Sequence, residues 1–128
     1  MDIVNEIFTT EGRLNRLRYF KYYFLLLLVY KLINFVAEQI GGSLTGQAES
    51  TLIEAALGIV FLITGIGNFI GFIMLDVRRL HDLDRSGWFV LLLFVPLVNL
   101  LFVLYLWFMP GTVGYNRFGE DPLESNEQ

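Results

Sequence analysis

The stretch Trp88–Met109, WFVLLLFVPLVNLLFVLYLWFM, decides how this chain is built. It holds no charge, and sixteen of its side chains are Leu, Val or Phe. Each of these favours bilayer insertion by about 0.3 to 0.6 kcal/mol. The sum, on the order of −5 kcal/mol, outweighs the one proline and one asparagine. Pro96 nevertheless divides the run into two apolar halves, with Asn99 close behind. Proline removes a helical hydrogen bond and kinks or breaks the helix. Two courses are open: a kinked full crossing, or a re-entrant hairpin that returns the tail to the side it left. A turn inside the hydrocarbon must be covered by protein, and a small bundle offers little cover. The expectation is the kinked crossing.

Working outward, two more apolar runs precede it. Residues 19–37 read YFKYYFLLLLVYKLINFVA and residues 55–75 read AALGIVFLITGIGNFIGFIML. A bilayer core is crossed by about 20 apolar helical residues. The whole chain is 55 % hydrophobic and 17 % charged, against about 25 % charged in soluble chains. The expected fold is all-α: one integral membrane helical bundle of three transmembrane helices, the third kinked at Pro96. Residues 1–18 form the N-terminal segment and 110–128 a turn-rich tail. The polar, mixed-charge opening MDIVNEIFTTEGRLNRLR does not read as a cleavable signal peptide.

Lysines and arginines gather before the first span (Arg13, Arg16, Arg18, Lys21) and between the second and third (Arg78, Arg79, Arg85). The connector QIGGSLTGQAESTLIE has none. By the positive-inside bias, the N-terminus and the charged connector are expected in the cytoplasm and the Gly/Ser-rich connector outside. A full third crossing places the tail outside.

Several function classes are excluded or disfavoured. Net charge is −4, which is wrong for a nucleic-acid partner. With no cysteine and one histidine, neither a thiolate metal site nor a paired-imidazole site is available. Neither G-x-S-x-G nor H-E-x-x-H occurs. No catalytic residue, metal or cofactor is expected.

Polar residues within the apolar runs are the candidates for interaction. Thr64, Gly67, Asn68 and Gly71 recur at i, i+3, i+4, i+7 and make one small, polar helix face. Such faces pack helices in lipid, where there is no hydrophobic drive between helices. Asn99 is the expected hydrogen-bonding counterpart in the third span. Lys31 and Asn34 share a face with Glu38, so Lys31 is expected to snorkel outward or pair with Glu38. The primary expectation is a non-enzymatic membrane protein whose partners are the lipid bilayer and either another copy or another membrane protein. The alternative is a small oligomeric channel or transporter lined by Lys31, Asn34, Asn68 and Asn99.

Between the second and third runs lies LDVRRLHDLDRSGWF, residues 75–89. If helical, Arg78, His81, Asp82 and Arg85 share one face, with Arg78–Asp82 and Asp82–Arg85 as ion pairs. Two readings stand. One is an anion or lipid-headgroup site. The other is a structural charged module built from Arg78, Arg79, His81, Asp82 and Arg85, docking a helical GRLNRLR segment. In the tail, Asn116, Arg117 and Asp121 could pair with this module only if both lie on the same side of the membrane.

Together EGRLNRLRYF, RRLHDLDRSGWF and MPGTVGYNRFGEDP resemble the DUF805 family of small bacterial inner-membrane proteins, the YhaH-like group. The likeness spans about residues 11–122. The tail matches at Pro110, Gly111, Thr112, Gly114, Asn116, Arg117, Gly119, Asp121 and Pro122. It departs at Phe89, where a second tryptophan is common, and at Glu120, where proline is frequent. The resemblance implies a multi-pass fold and carries over no catalytic residue.

Overall fold

The computed structural model describes residues 2–45 and 51–124. Its helices run in the order α1 (Ile3–Ile7), α2 (Arg16–Thr45), α3 (Thr51–Asp82), a 3-10 helix (Gly87–Phe94) and α4 (Val98–Phe108). The protein is an all-α membrane bundle with two long apolar helices and a shorter apolar one. At 30 and 32 residues, α2 and α3 are about 45 and 48 Å long, longer than the hydrocarbon requires. Both extend into the expected Gly/Ser-rich connector, of which residues 46–50 lie outside the described residues.

These helices are not the core of a water-soluble domain. Only 11 % of the most apolar window of α2 and 6 % of that of α3 are buried within the chain. Leu28, Leu32, Phe35, Leu62, Ile63 and Phe69 face outward. Such a surface needs acyl chains around it.

The third apolar run is where structure and expectation part. It is not one kinked helix crossing the bilayer. The 3-10 helix leaves the end of α3, the chain reverses at Val95–Leu97, and α4 runs back. Leu97 takes a left-handed φ of 67° at the apex, a costly conformation for a branched residue. Phe94 reaches Phe69 on α3, ring centroids 6.2 Å apart. Phe69 stands about 20 Å along the helix from Asp82, so the hairpin reaches only part of the way along α3. On the return, α4 sets Trp107 against Phe20 and Tyr23 of α2, at 5.3 and 5.8 Å. These contacts hold the two arms against α2 and α3, while the turn residues themselves, Phe94 to Leu100, stay exposed and need acyl chains around them.

The buried core lies at the end of the bundle where the hairpin begins and finishes. Leu14, Tyr19, Leu75, Leu80, Phe102 and Leu106 form its centre. Here Tyr19 donates a 2.6 Å hydrogen bond to Asp76 Oδ1, and both residues are buried.

Candidate functional site

The segment before α2 is not a helix. Residues 8–15 cross the end of the bundle as an irregular strap, pinned to α3 where Leu14 N–H donates to Arg78 O at 3.2 Å. Helix α2 then starts under an Asn15 cap, whose Oδ1 accepts from Arg18 N–H at 2.8 Å. This geometry sends Arg13 inward. Its guanidinium meets Asp82 Oδ1, Nη2 at 3.1 Å and Nε at 3.2 Å, with side-chain exposures of 1 % and 4 %. It also donates to the carbonyls of Thr112, Gly114 and Gly119 in the tail.

Arg79 completes the cluster from the same helix as Asp82. It is fully buried and pairs with Asp82 Oδ2. Its remaining donors engage Leu106 O at 2.9 Å, Leu14 O at 3.4 Å and Met109 O. One carboxylate therefore sits between two guanidiniums whose other protons end on backbone carbonyls of the strap, of α4 and of the tail. Burial raises the Asp82 carboxyl, and the charges of Arg79 and Arg13 oppose that rise. A buried ion cluster of this kind is tolerable only when its remaining valences are met by hydrogen bonds. Here they are.

The tail closes over the cluster. Thr112 N–H donates to Asp82 O at 2.8 Å, and Asn116 Nδ2 donates to His81 O at 2.9 Å. Arg117 holds Asp84 from outside, Nε to Oδ1 at 3.1 Å. A Cβ on Gly111 would collide with Asp82 Oδ2, so only glycine lets the backbone pass. Asp121 accepts from the N–H groups of Leu123 and Gly114 at 3.0 and 2.9 Å. Those donors hold its carboxyl below the usual range. The tail is thus on the same side as the charged connector, and the expectation of a tail on the opposite side does not survive.

His81 stacks on Phe118, centroids 3.9 Å apart and rings within 7° of parallel. Its Nδ1 lies 3.2 Å from Gly12 O. Burial, countered in part by that carbonyl, keeps the imidazole below its ordinary value, which favours a neutral, stacked ring over a charged one. Arg78 does not pair with Asp82; it donates to Glu6 O of α1. Nor does Arg85 pair with Asp82, because α3 ends at Asp82 and the helical phase is lost. Arg85 is exposed and its guanidinium has no partner among the described residues.

The family follows from how the three quoted motifs meet in this cluster, together with a match of residues 7–120 to the family described as "Protein of unknown function (DUF805)". The chain belongs to the DUF805 family. Among relatives, inner membrane protein YhaI of Escherichia coli K12 is 36 % identical over 84 residues, covering 57 % of this chain and 71 % of YhaI. Inner membrane protein YhaH of the same organism is 43 % identical over 65 residues, covering 51 % of this chain and 54 % of YhaH. The chain thus spans about half the length of YhaH. No solved structure matches. Membership, these relatives and the apolar helices support a place in the bacterial inner membrane. Within the DUF805 pattern, EGRLNRLR supplies Arg13, RRLHD supplies Arg79 and Asp82, and PGTVG supplies the passing glycine and the carbonyls.

Sequence reasoning does not single out Arg13 as a site residue: it enters as an orienting charge and, within GRLNRLR, as part of a segment expected to dock on the charged module as a helix. The signal was there: it lies inside the first family motif. The helix-packing candidates divide. Thr64 Oγ1 lies 3.2 Å from Asn34 Oδ1 and donates more closely to Val60 O at 2.7 Å. Gly71 is buried with Leu26 closing on it. Gly67 has open space at its Cβ position, and Asn68 Oδ1 is enclosed without a partner among the described residues. Asn99 is exposed on the hairpin and does not answer Asn68. Lys31 and Glu38 are both exposed, and no salt bridge joins them among the described residues. Lys31, Asn34, Asn68 and Asn99 are not gathered at one place.

Proposed function

We propose that this protein is a non-catalytic inner-membrane scaffold. In this reading the chain crosses twice and holds a part-depth hairpin in the cytoplasmic leaflet. The carrying observation is the Arg13–Asp82–Arg79 cluster. The side chains best suited to chemistry or ligand capture are buried and engaged with the chain's own backbone. They fasten the strap, the hairpin and the tail together. The widest surface left for interaction is the outward apolar face of α2 and α3, which suits lipid and a membrane partner.

Cytoplasmic placement of the fastened end is part of the proposal. Arg13, Arg16, Arg18, Lys21, Arg78, Arg79, Arg85 and Arg117 lie there, eight of the nine Lys and Arg in the chain, as the positive-inside bias requires.

Photo-cross-linking in native membranes, from benzoylphenylalanine placed at Phe35 or Ile63, tests the scaffold. A discrete, saturable protein adduct that disappears in Asp82→Asn is expected. A lipid-only smear from both positions, unchanged by Asp82→Asn, removes the partner-binding role.

A further inference from the structure

Between the two arms of the hairpin, and floored by α3, runs an open groove of about 360 Å³. Leu80, Phe89, Leu101 and Phe102 line its apolar length, with Tyr105 and Arg85 also on its wall. Polarity is graded along it. Arg85 follows the end of α3 by three residues, and Tyr105 precedes Leu106, whose carbonyl accepts from Arg79. Both therefore belong to the fastened end, at headgroup level, while Leu101 lies toward the apex. Arg85 is the one charged residue on the groove wall, and it differs from Arg13, Arg79 and Arg117 in having no carboxylate or carbonyl partner among the described residues.

We propose that this groove seats one anionic phospholipid of the surrounding leaflet, its phosphate on Arg85 and one acyl chain between the hairpin arms. The chemistry fits on both counts. A guanidinium whose donors have no partner among the described residues matches a phosphate diester, and an apolar slot running inward from it has the direction a lipid in that leaflet already has. Hairpin arms that splay in a monomer need something to fill the gap, since empty space forfeits dispersion contacts. Charge and polarity gradient favour a phospholipid over a second protein copy, whose matching segment would have to bring an anion to the same depth. The inference rests on the hairpin reading but not on the scaffold's having a protein partner.

Native mass spectrometry of the full chain tests it, after release from nanodiscs of equimolar phosphatidylglycerol and phosphatidylcholine with matched acyl chains. The wild type should retain one phosphatidylglycerol in preference to phosphatidylcholine by about fivefold, the effect of one arginine near the surface. Arg85→Gln should abolish the preference, Leu101→Trp should reduce retention of both lipids, and Arg117→Gln should change neither. Added inorganic phosphate should not displace the lipid, because the acyl chain holds it. Equal retention of the two lipids by the wild type overturns the proposal, as does unchanged preference in Arg85→Gln. A dimer that Leu101→Trp converts to monomer, with lipid retention unaltered, assigns the groove to a second copy instead. Tail accessibility measured on the same variants separates these results from loss of the hairpin itself, since Arg85→Gln leaves the cluster intact.

Discussion

At one end of α2 and α3, three buried charged side chains and a web of carbonyls join segments up to 106 residues apart in sequence. Toward the other end the same two helices meet through apolar contact: a Cβ on Gly41 would press on Leu57 at 2.5 Å, and Thr64 touches Asn34 nearer midspan. The two regions share helices and differ in solvent. In hydrocarbon, polar groups between helices add little because the unassembled helices also find partners. At the membrane surface, dehydrating a charge is expensive, so a cluster persists only if every member is engaged. The fold is therefore located by its oily lengths and shaped by its polar end.

Breaking the polar end should have the largest effect. Asp82→Ala leaves two buried guanidiniums without their anion and should cost about 3–5 kcal/mol, read as a lower unfolding midpoint in mild detergent by circular dichroism. Gly111→Ala comes next, because the Asp82 oxygen it would meet cannot swing away from Arg79 and Arg13; about 1–3 kcal/mol is expected from overpacking. At the apolar end, Thr64→Val should cost only about 0.6 kcal/mol, the average for polar contacts between membrane helices. A Thr64→Val loss equal to that of Asp82→Ala would erase the distinction between the two regions.

The smallest effect is a matter of pH. The Asp121 carboxyl is held low by two backbone donors, so its contribution is complete above the unfolded value of about 3.9. It is lost as pH falls through the lower folded value. Pepsin cleavage of the tail should accelerate over that acid interval, and Asp121→Asn should flatten the profile.

The two regions were also unequally legible. Hydropathy located α2 and α3 because insertion energy depends on composition alone, whichever way the chain runs. The same summation could not tell a crossing from a hairpin in residues 88–109, since both bury the same side chains. What decides between them is long-range: ring contacts of the two arms with Phe20, Tyr23 and Phe69, and carbonyls of Leu106 and Met109 tied to Arg79. Sequence did pose the right condition, that Asn116, Arg117 and Asp121 reach the charged connector only from the same side. Asn116 and Arg117 do reach it, while Asp121 braces the tail on itself. Asp82 is legible as a site residue, but not its partners: Arg85 lies past the end of α3, where helical phase is lost, and Arg78, although in phase, turns to Glu6 O on α1. Arg13 could not be found by periodicity, for the strap has none.

The hairpin is tested most directly by asking from which side the strap and tail can be reached. The chain has no cysteine, so Glu11→Cys and Tyr115→Cys each report one exposed site. With an impermeant maleimide and vesicles of defined orientation, both should label from the same face of the membrane. Labelling of the two from opposite faces would mean that the third apolar run crosses completely, and the fastened end as described here could not exist.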